Sequence, residues 1–375
     1  MRIGFYAPLK TPLHCKPSGD REIGRLLLKA LKALGHEVEN ISDLRSWEGR
    51  GCQERQKEIR QASNRQVKQL LSKYSKGPAP DLIFIYHVYH KAPDWIGIEV
   101  ATAIKIPYVI AEVSFAPKQF NGPWHYGHQQ TLRCIQQADR IIALNPADIQ
   151  CLKPLVISEH RIYWLKPFLG EIPVRGDTTA DKQKHMRVNN FSRDTVNLIT
   201  VAMMRDGDKK ASYRQLSDAL KRLDSKNWRL IIIGDGIAAD EIKEFFQGVC
   251  GECIFTGLLN KREIFNYLSL SDIFVWPAVN EAIGLALLEA QAFGLPAVAQ
   301  DYGGVSTIVE NNVTGYVTPA GNIDDFVFAL KTLIKDSSKR QKMSRAAKHK
   351  FKTDHSFEVA LKRLQEILNH QLTCE

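Results

Sequence analysis

The sequence predicts an α/β protein made of two Rossmann-like, doubly wound domains facing each other across a cleft. Short apolar, β-branched runs alternate with helical periodicity along the chain, the pattern of stacked β-α units with parallel sheets. The alternation comes in two series separated by a polar, aperiodic stretch, and 375 residues are enough for two domains of ordinary size.

The first series places strands at 2–6, 37–41, 82–86, 107–111, 140–144 and 162–165. A helix over Glu22–Leu34 puts Ile23, Leu26, Leu27, Ala30 and Leu34 on one face. Residues 170–195 carry Gly, Pro and polar residues without periodicity and read as a linker. The second series places strands at 198–203, 229–233, 253–255, 273–276, 296–299 and 315–317, and a last helix follows at about 356–371. The expected domains are 1–180 and 181–354, with 355–375 crossing back onto the first. Open parallel sheets take ligands beyond the carboxyl ends of their strands, so function is expected there.

Hydrophobic residues make up 44% and charged residues 25%, a globular composition. No run approaches the roughly 20 apolar residues of a membrane span. The N-terminus MRIGFYAPLK enters a strand pattern without the apolar core of a signal peptide. A cytoplasmic protein is expected. Seven cysteines, an odd number, argue against a disulfide framework. Cys250-Gly-Glu-Cys253 lacks a second pair at zinc spacing and reads as a loop with two thiols.

The net charge of +10 favours anionic partners. Residues 45–76 hold nine basic side chains against three acidic ones, and 339–352 hold seven basic ones. Each stretch reads as a solvated helical face or as a face resting on anionic lipid headgroups at the inner side of the membrane. Neither interleaves stacking aromatics nor shows a DNA-reading motif, so nucleic acid is not an expected partner.

The strongest chemical signal is FVWPAVNEAIGLALLEAQAFGLPAVAQDYGG, residues 274–304. A buried strand passes Pro277 and a polar loop, then enters an apolar helix at about Gly284. Glu289 falls inside that helix, where an unpaired carboxylate costs several kcal/mol. A pair of ligand hydroxyls would satisfy it. Glu281 lies eight residues earlier on the loop, and the amides of Gly284 and Leu285 between them form a helix N-terminus suited to phosphate.

This segment resembles the Glu-x7-Glu donor motif of the retaining glycosyltransferases of sequence family 4, which have the GT-B fold. GLPAVAQDYGGVSTIVENNVTGYVTP, LIIIGDG, FTGLL and LSLSDIFVWP resemble that family in the expected order and cover most of residues 198–320. The resemblance implies a nucleotide-diphosphate sugar, UDP- or GDP-linked, as substrate, with no further cofactor and no bound metal. It implies that Glu289 accepts from the ribose hydroxyls and that Glu281 sits against the transferred sugar. Gly284 and Leu285 would meet the diphosphate, with Gly234, Gly236, Gly257 and Leu258 on the surrounding donor-side loops. It further implies an Arg and a Lys on the diphosphate: Arg205, then Lys209 or Lys210, both of which fit the spacing. Fixed cations and amides of this kind stabilise a leaving diphosphate.

The N-terminal half resembles the family less. Ser18-Gly19-Asp20 occupies the place of its early glycines, so Gly19 is carried over. Where the family has a histidine, this chain offers Glu112, Val113 and Ser114, and Glu112 is the best substitute for an acceptor-side catalytic residue. His125 and His128, in an expected loop, are further candidates. Tyr86-His87-Val88-Tyr89-His90 alternates as a strand end does, and His-x-x-His by itself is weak as a metal signal. The expected activity is sugar transfer, with retention, to the hydroxyl of a saccharide or lipid-linked acceptor. A non-catalytic sugar-nucleotide-binding protein of the same fold is the alternative.

Overall fold

A computed structural model describes residues 1–14, 18–170, 172 and 195–369. The chain forms two compact units, Met1–Lys166 with Phe357–Glu375, and Pro167–Ser356.

The first unit holds a six-stranded parallel sheet of β1 (Arg2–Tyr6), β2 (Glu37–Ser42), β3 (Leu82–Val88), β4 (Tyr108–Val113), β5 (Arg140–Ala143) and β6 (Ile162–Trp164). The strand order is β2-β1-β3-β4-β5-β6. β3 and β4 are buried along nearly their whole length, and Phe5 of β1 stacks on Phe84 of β3 with ring centroids 5.9 Å apart. The helix Gly19–Ala33 starts at Ser18, whose hydroxyl accepts from the Arg21 amide, and buries Ile23, Leu26, Leu27, Ala30 and Leu31. The helix Phe357–Asn369 belongs to this unit: Lys29 Nζ lies 5.0 Å from the Phe357 ring centroid and Arg363 Nε donates to Trp164 O at 3.2 Å.

The second unit repeats the architecture with β7 (Val196–Val201), β8 (Trp228–Ile233), β9 (Glu252–Gly257), β10 (Ile273–Trp276), β11 (Ala297–Gln300) and β12 (Gly315–Thr318), all parallel. Its strand order is β12-β11-β10-β7-β8-β9. In both sheets the order reverses once, between β1 and β3 and between β7 and β10. Such a switch point opens a crevice beyond the strand ends.

The crossing between units falls at Lys166/Pro167 and Ser356/Phe357, earlier than the expected 180/181 and just after the expected 354/355. The reason is local. Leu169 is buried in the second core and its amide donates to His355 O at 3.2 Å. The expected linker 170–195 lies almost wholly outside the described residues.

His125 and His128 are not in a loop as expected; they open the helix His125–Gln137. The basic stretch 45–76 becomes largely the helix Gln53–Tyr74. It buries Gln56, Ile59, Ser63, Leu70 and Tyr74 and exposes Arg55, Lys57, Arg60, Arg65, Lys68 and Lys73. Among the described residues, no helix is long and apolar enough to cross a membrane.

Candidate functional site

The switch point of the second sheet lies between β7 and β10, and the loops after these strands carry Arg205 and Glu281. Glu281 is ion-paired with Lys209, and each side chain keeps 19% exposure. Trp276 Nε1 donates to Glu281 Oε2 at 3.3 Å, and Lys209 Nζ lies 5.5 Å from the Trp276 ring centroid. Tyr213 packs edge-on against that ring at 5.0 Å and donates its hydroxyl to Ala202 O at 2.8 Å. Lys210 points elsewhere. Its ammonium is 2.7 Å from Asp206 Oδ1 and 2.9 Å from Glu241 Oε2. Where spacing left both lysines open, helical phase brings Lys209 alone to Glu281. Arg205 is exposed on the loop before them.

The loop bearing Glu281 is held in a conformation that chain propensity disfavours. Ala278 and Asn280 have φ of 61° and 50°, left-handed values that tertiary contacts must enforce. Those contacts come from the helix Asp208–Lys221. Ser212 Oγ accepts from the Val279 amide at 3.0 Å, and Asp208 Oδ1 accepts from Asn280 Nδ2 at 2.9 Å. From the other side, Gly303 and Gly304 pack on the same loop. A Cβ on Gly303 would run into Glu281 O, and one on Gly304 into Ala282 O.

Gly284 takes φ 79° and starts the helix Leu285–Phe293, whose N-terminus no side chain caps. The amides of Gly284 and Leu285 therefore present an uncapped helix start beside Glu281, suited to an anion. Glu289 is less isolated than the sequence suggested: its side chain is 14% exposed and Lys261 Nζ lies 3.4 Å from Oε1. Gly234 and Gly236 serve close approach of backbones, because a Cβ on either would strike the carbonyl of Ala202 or Met204. They fix the segment that leads into Arg205, through Met204 N donating to Asp235 O at 2.9 Å. Gly257 has φ 75°, and Leu258 after it is 73% exposed.

In the first unit, Glu112 ends the buried strand β4 and is 9% exposed. Burial raises its pKa above the usual carboxyl range, and the neighbouring His87 draws it back. His87 Nδ1 lies 3.7 Å from Glu112 Oε1 and 3.2 Å from Asp20 Oδ1. The sequence did not single out His87 or Asp20 as acting together. They are 67 positions apart, and only the switch point between β1 and β3 joins them. Gly19 is the first residue of its helix, next to Asp20. His128 is buried against Phe115 at 4.6 Å, and His125 pairs its ring with Phe120 O at 2.6 Å, so neither is brought to Glu112. Among the described residues, no group of three His, Cys, Asp or Glu side chains is placed to hold a metal ion.

Residues 182–350 match the sequence profile of the family described as glycosyl transferases group 1. The chain is 29% identical over 170 residues to the sulfoquinovosyl transferase SQD2 of Arabidopsis thaliana, a match covering 44% of this chain and 32% of that protein. The chain thus spans about a third of the length of that relative. Among solved structures it is similar to a glycosyltransferase from Rickettsia africae, with a TM-score of 0.72, 17% identity and 99% of each chain covered. It is also similar to Anabaena HepE in complex with UDP, with a TM-score of 0.73, 15% identity, and 98% of this chain and 99% of that one covered. Over residues 182–350 this chain therefore carries a domain of the glycosyl transferases group 1 family, within the two-sheet GT-B fold.

Proposed function

We propose that the protein is a glycosyltransferase moving a sugar from a nucleotide-diphosphate donor to an acceptor hydroxyl, in glycan or glycolipid synthesis and with retention at the anomeric carbon. The observation that carries this reading is the Lys209–Glu281 ion pair beside the uncapped helix start at Gly284, with the half-buried Glu289 eight residues after Glu281. Glu289 receives the ribose hydroxyls, while Arg205, Lys209 and the amides of Gly284 and Leu285 take the diphosphate. In the reaction the bond from the anomeric carbon to the diphosphate oxygen breaks and a bond to the acceptor oxygen forms. The acceptor proton leaves on the diphosphate. The charge that develops there is met by fixed cations and dipoles, which lowers the barrier without a metal.

The UDP held by the HepE structure supports a nucleotide donor and makes UDP-sugars the first to test, with GDP-sugars beside them. The exposed cations of the helix Gln53–Tyr74 suit a peripheral seat on anionic lipid, where a lipid-linked acceptor would be met. A thermal-shift panel of UDP- and GDP-sugars should give one series that raises the melting temperature. Chromatography should then show nucleotide release that accelerates with acceptor. A donor that binds but is never cleaved, with any acceptor tried, would leave a binding protein and overturn the reading.

A further inference from the structure

Glu289, which receives the ribose hydroxyls in the transferase reading, meets a cation from the neighbouring helix Lys261–Leu270. Lys261 Nζ lies 3.4 Å from Glu289 Oε1. One turn further along both helices, the Phe265 and Phe293 rings meet with centroids 5.2 Å apart. Residues four apart share a helix face, so Lys261 with Phe265 and Glu289 with Phe293 form two facing rows. The Lys261 ammonium also lies 5.5 Å from the Phe265 ring centroid. Phe265 is buried in the core of this unit and Phe293 packs against that core, which sets the level at which Lys261 meets Glu289.

The local helix does not call for a lysine here. Its start is closed by a capping box: Asn260 Oδ1 accepts from the Glu263 amide at 3.0 Å, and Glu263 Oε2 accepts from the Asn260 amide at 2.8 Å. Lys261 is the first residue after the cap, where the helix dipole opposes a cation. Its side chain keeps 48% exposure against 14% for Glu289, and an ion pair so open to water adds little stability. The lysine therefore gains the fold little, while its ammonium stays reachable beside a more enclosed carboxylate. A hydroxyl carries one donor and two acceptor lone pairs, whereas a carboxylate only accepts and an ammonium only donates. A ribose hydroxyl that donates to Glu289 thus keeps lone pairs that Glu289 cannot serve and an adjoining ammonium can.

We propose that Lys261 is a second ribose-binding residue, whose ammonium donates to the oxygen of one of the hydroxyls that donate to Glu289. The inference deepens the donor reading and rests on its placing of ribose at Glu289. A nucleotide lacking that hydroxyl loses both contacts at once, so the pair distinguishes ribose from deoxyribose.

Isothermal titration on the full chain tests this without any transfer reaction. The probes are UDP and GDP with their 2′-deoxy and 3′-deoxy counterparts. The parent should bind the ribonucleotide at least about tenfold more tightly than one of the deoxy forms. Lys261→Met should weaken ribonucleotide binding about threefold to tenfold and leave that deoxy form within about twofold of the parent. Its melting temperature should match the parent's, since the capping box does not depend on the lysine. Lys261→Arg, which keeps the charge and the donors, should retain the discrimination against the deoxy form. A parent that binds ribo and deoxy forms alike would overturn the proposal. So would a Lys261→Met variant that loses the same factor on both forms, as general attraction to the diphosphate gives. Ribonucleotide binding that Lys261→Met leaves unchanged overturns the proposal alone. Failure of both UDP and GDP to bind the parent overturns the donor reading and the proposal with it.

Discussion

Lys209 and Glu281 are 72 positions apart in the chain and form an ion pair at the switch point of the second sheet, sharing the Trp276 side chain as a common wall. Glu281 sits on a loop with left-handed residues at 278 and 280, so the pair depends on the packing that holds that loop. Its neighbour Lys210 is turned to Asp206 and Glu241 on the outer side of the same helix.

This geometry separates the two lysines by experiment. Lys209→Ala should weaken binding of a nucleoside diphosphate by about 10-fold to 100-fold, the worth of a charged hydrogen bond. Lys210→Ala should stay within about twofold, as expected of a surface pair. Isothermal titration with UDP and GDP reads both. A Lys210 variant as damaged as the Lys209 variant would reverse the assignment.

Glu289 is the second acidic position of the site, and its neighbour Lys261 remains 48% exposed. Glu289→Ala should reduce nucleotide affinity by about 1.5 to 3 kcal/mol through loss of a charged acceptor. It should change unfolding stability little, because Lys261 can turn to solvent. Equal nucleotide affinity in parent and variant removes Glu289 from the site.

Gly303 and Gly304 act on the site through shape. Gly303 has φ 51°, and a Cβ there would press on the carbonyl of Glu281. Gly303→Ala should cost about 1 to 3 kcal/mol of stability and should lower turnover by displacing Glu281. Urea unfolding and steady-state kinetics measure the two effects. A variant with normal stability and normal turnover would show that the loop yields freely.

The strands were legible because parallel sheets covered on both faces require unbroken apolar runs, such as Leu230–Ile233 and Leu82–Ile85, and these appear in the sequence. The helix Leu285–Phe293 was legible from its nearly continuous apolar run after Gly284. What stayed hidden depended on tertiary placement. The pairing of His87 with Asp20 follows from strand order, which residue spacing does not encode. The helix His125–Gln137 was missed because it opens at Trp124 with no side-chain cap, after a Gly-Pro pair that reads as loop. The Pro167 crossing was missed because Leu169 packs in the second core from within a stretch of loop character.

The raised pKa of His87 also predicts how stability depends on pH. Its folded-state value, about 9, is above the ordinary histidine value of about 6.5. The stabilisation is therefore fully present below about pH 6.5 and is lost as pH rises through about 9. The parent should lose on the order of 1 to 3 kcal/mol more than His87→Gln between those limits. Denaturant unfolding of both proteins across this range measures it. Parallel pH curves would show that His87 is not held protonated by Glu112 and Asp20.

The last prediction concerns the basic helix Gln53–Tyr74. Its inner face is fixed by Ile59, Leu70 and Tyr74, and the Arg60 guanidinium lies over the Trp95 ring, 5.2 Å from its centroid, so Lys57, Arg65 and Lys68 are the cations left on the outer face. Each cation near an anionic bilayer contributes about 1 kcal/mol at low salt, and the attraction fades over a Debye length of about 10 Å at 0.1 M salt. Co-sedimentation should therefore show binding to vesicles containing phosphatidylserine or phosphatidylglycerol, little binding to pure phosphatidylcholine, and release as salt rises. Replacing Lys57, Arg65 and Lys68 together by Gln should abolish most of the binding while leaving nucleotide affinity unchanged, since all three belong to the first unit and the Glu281–Glu289 site to the second. No preference for anionic vesicles at low salt would make these side chains a solvated face and direct the search to acceptors free in solution.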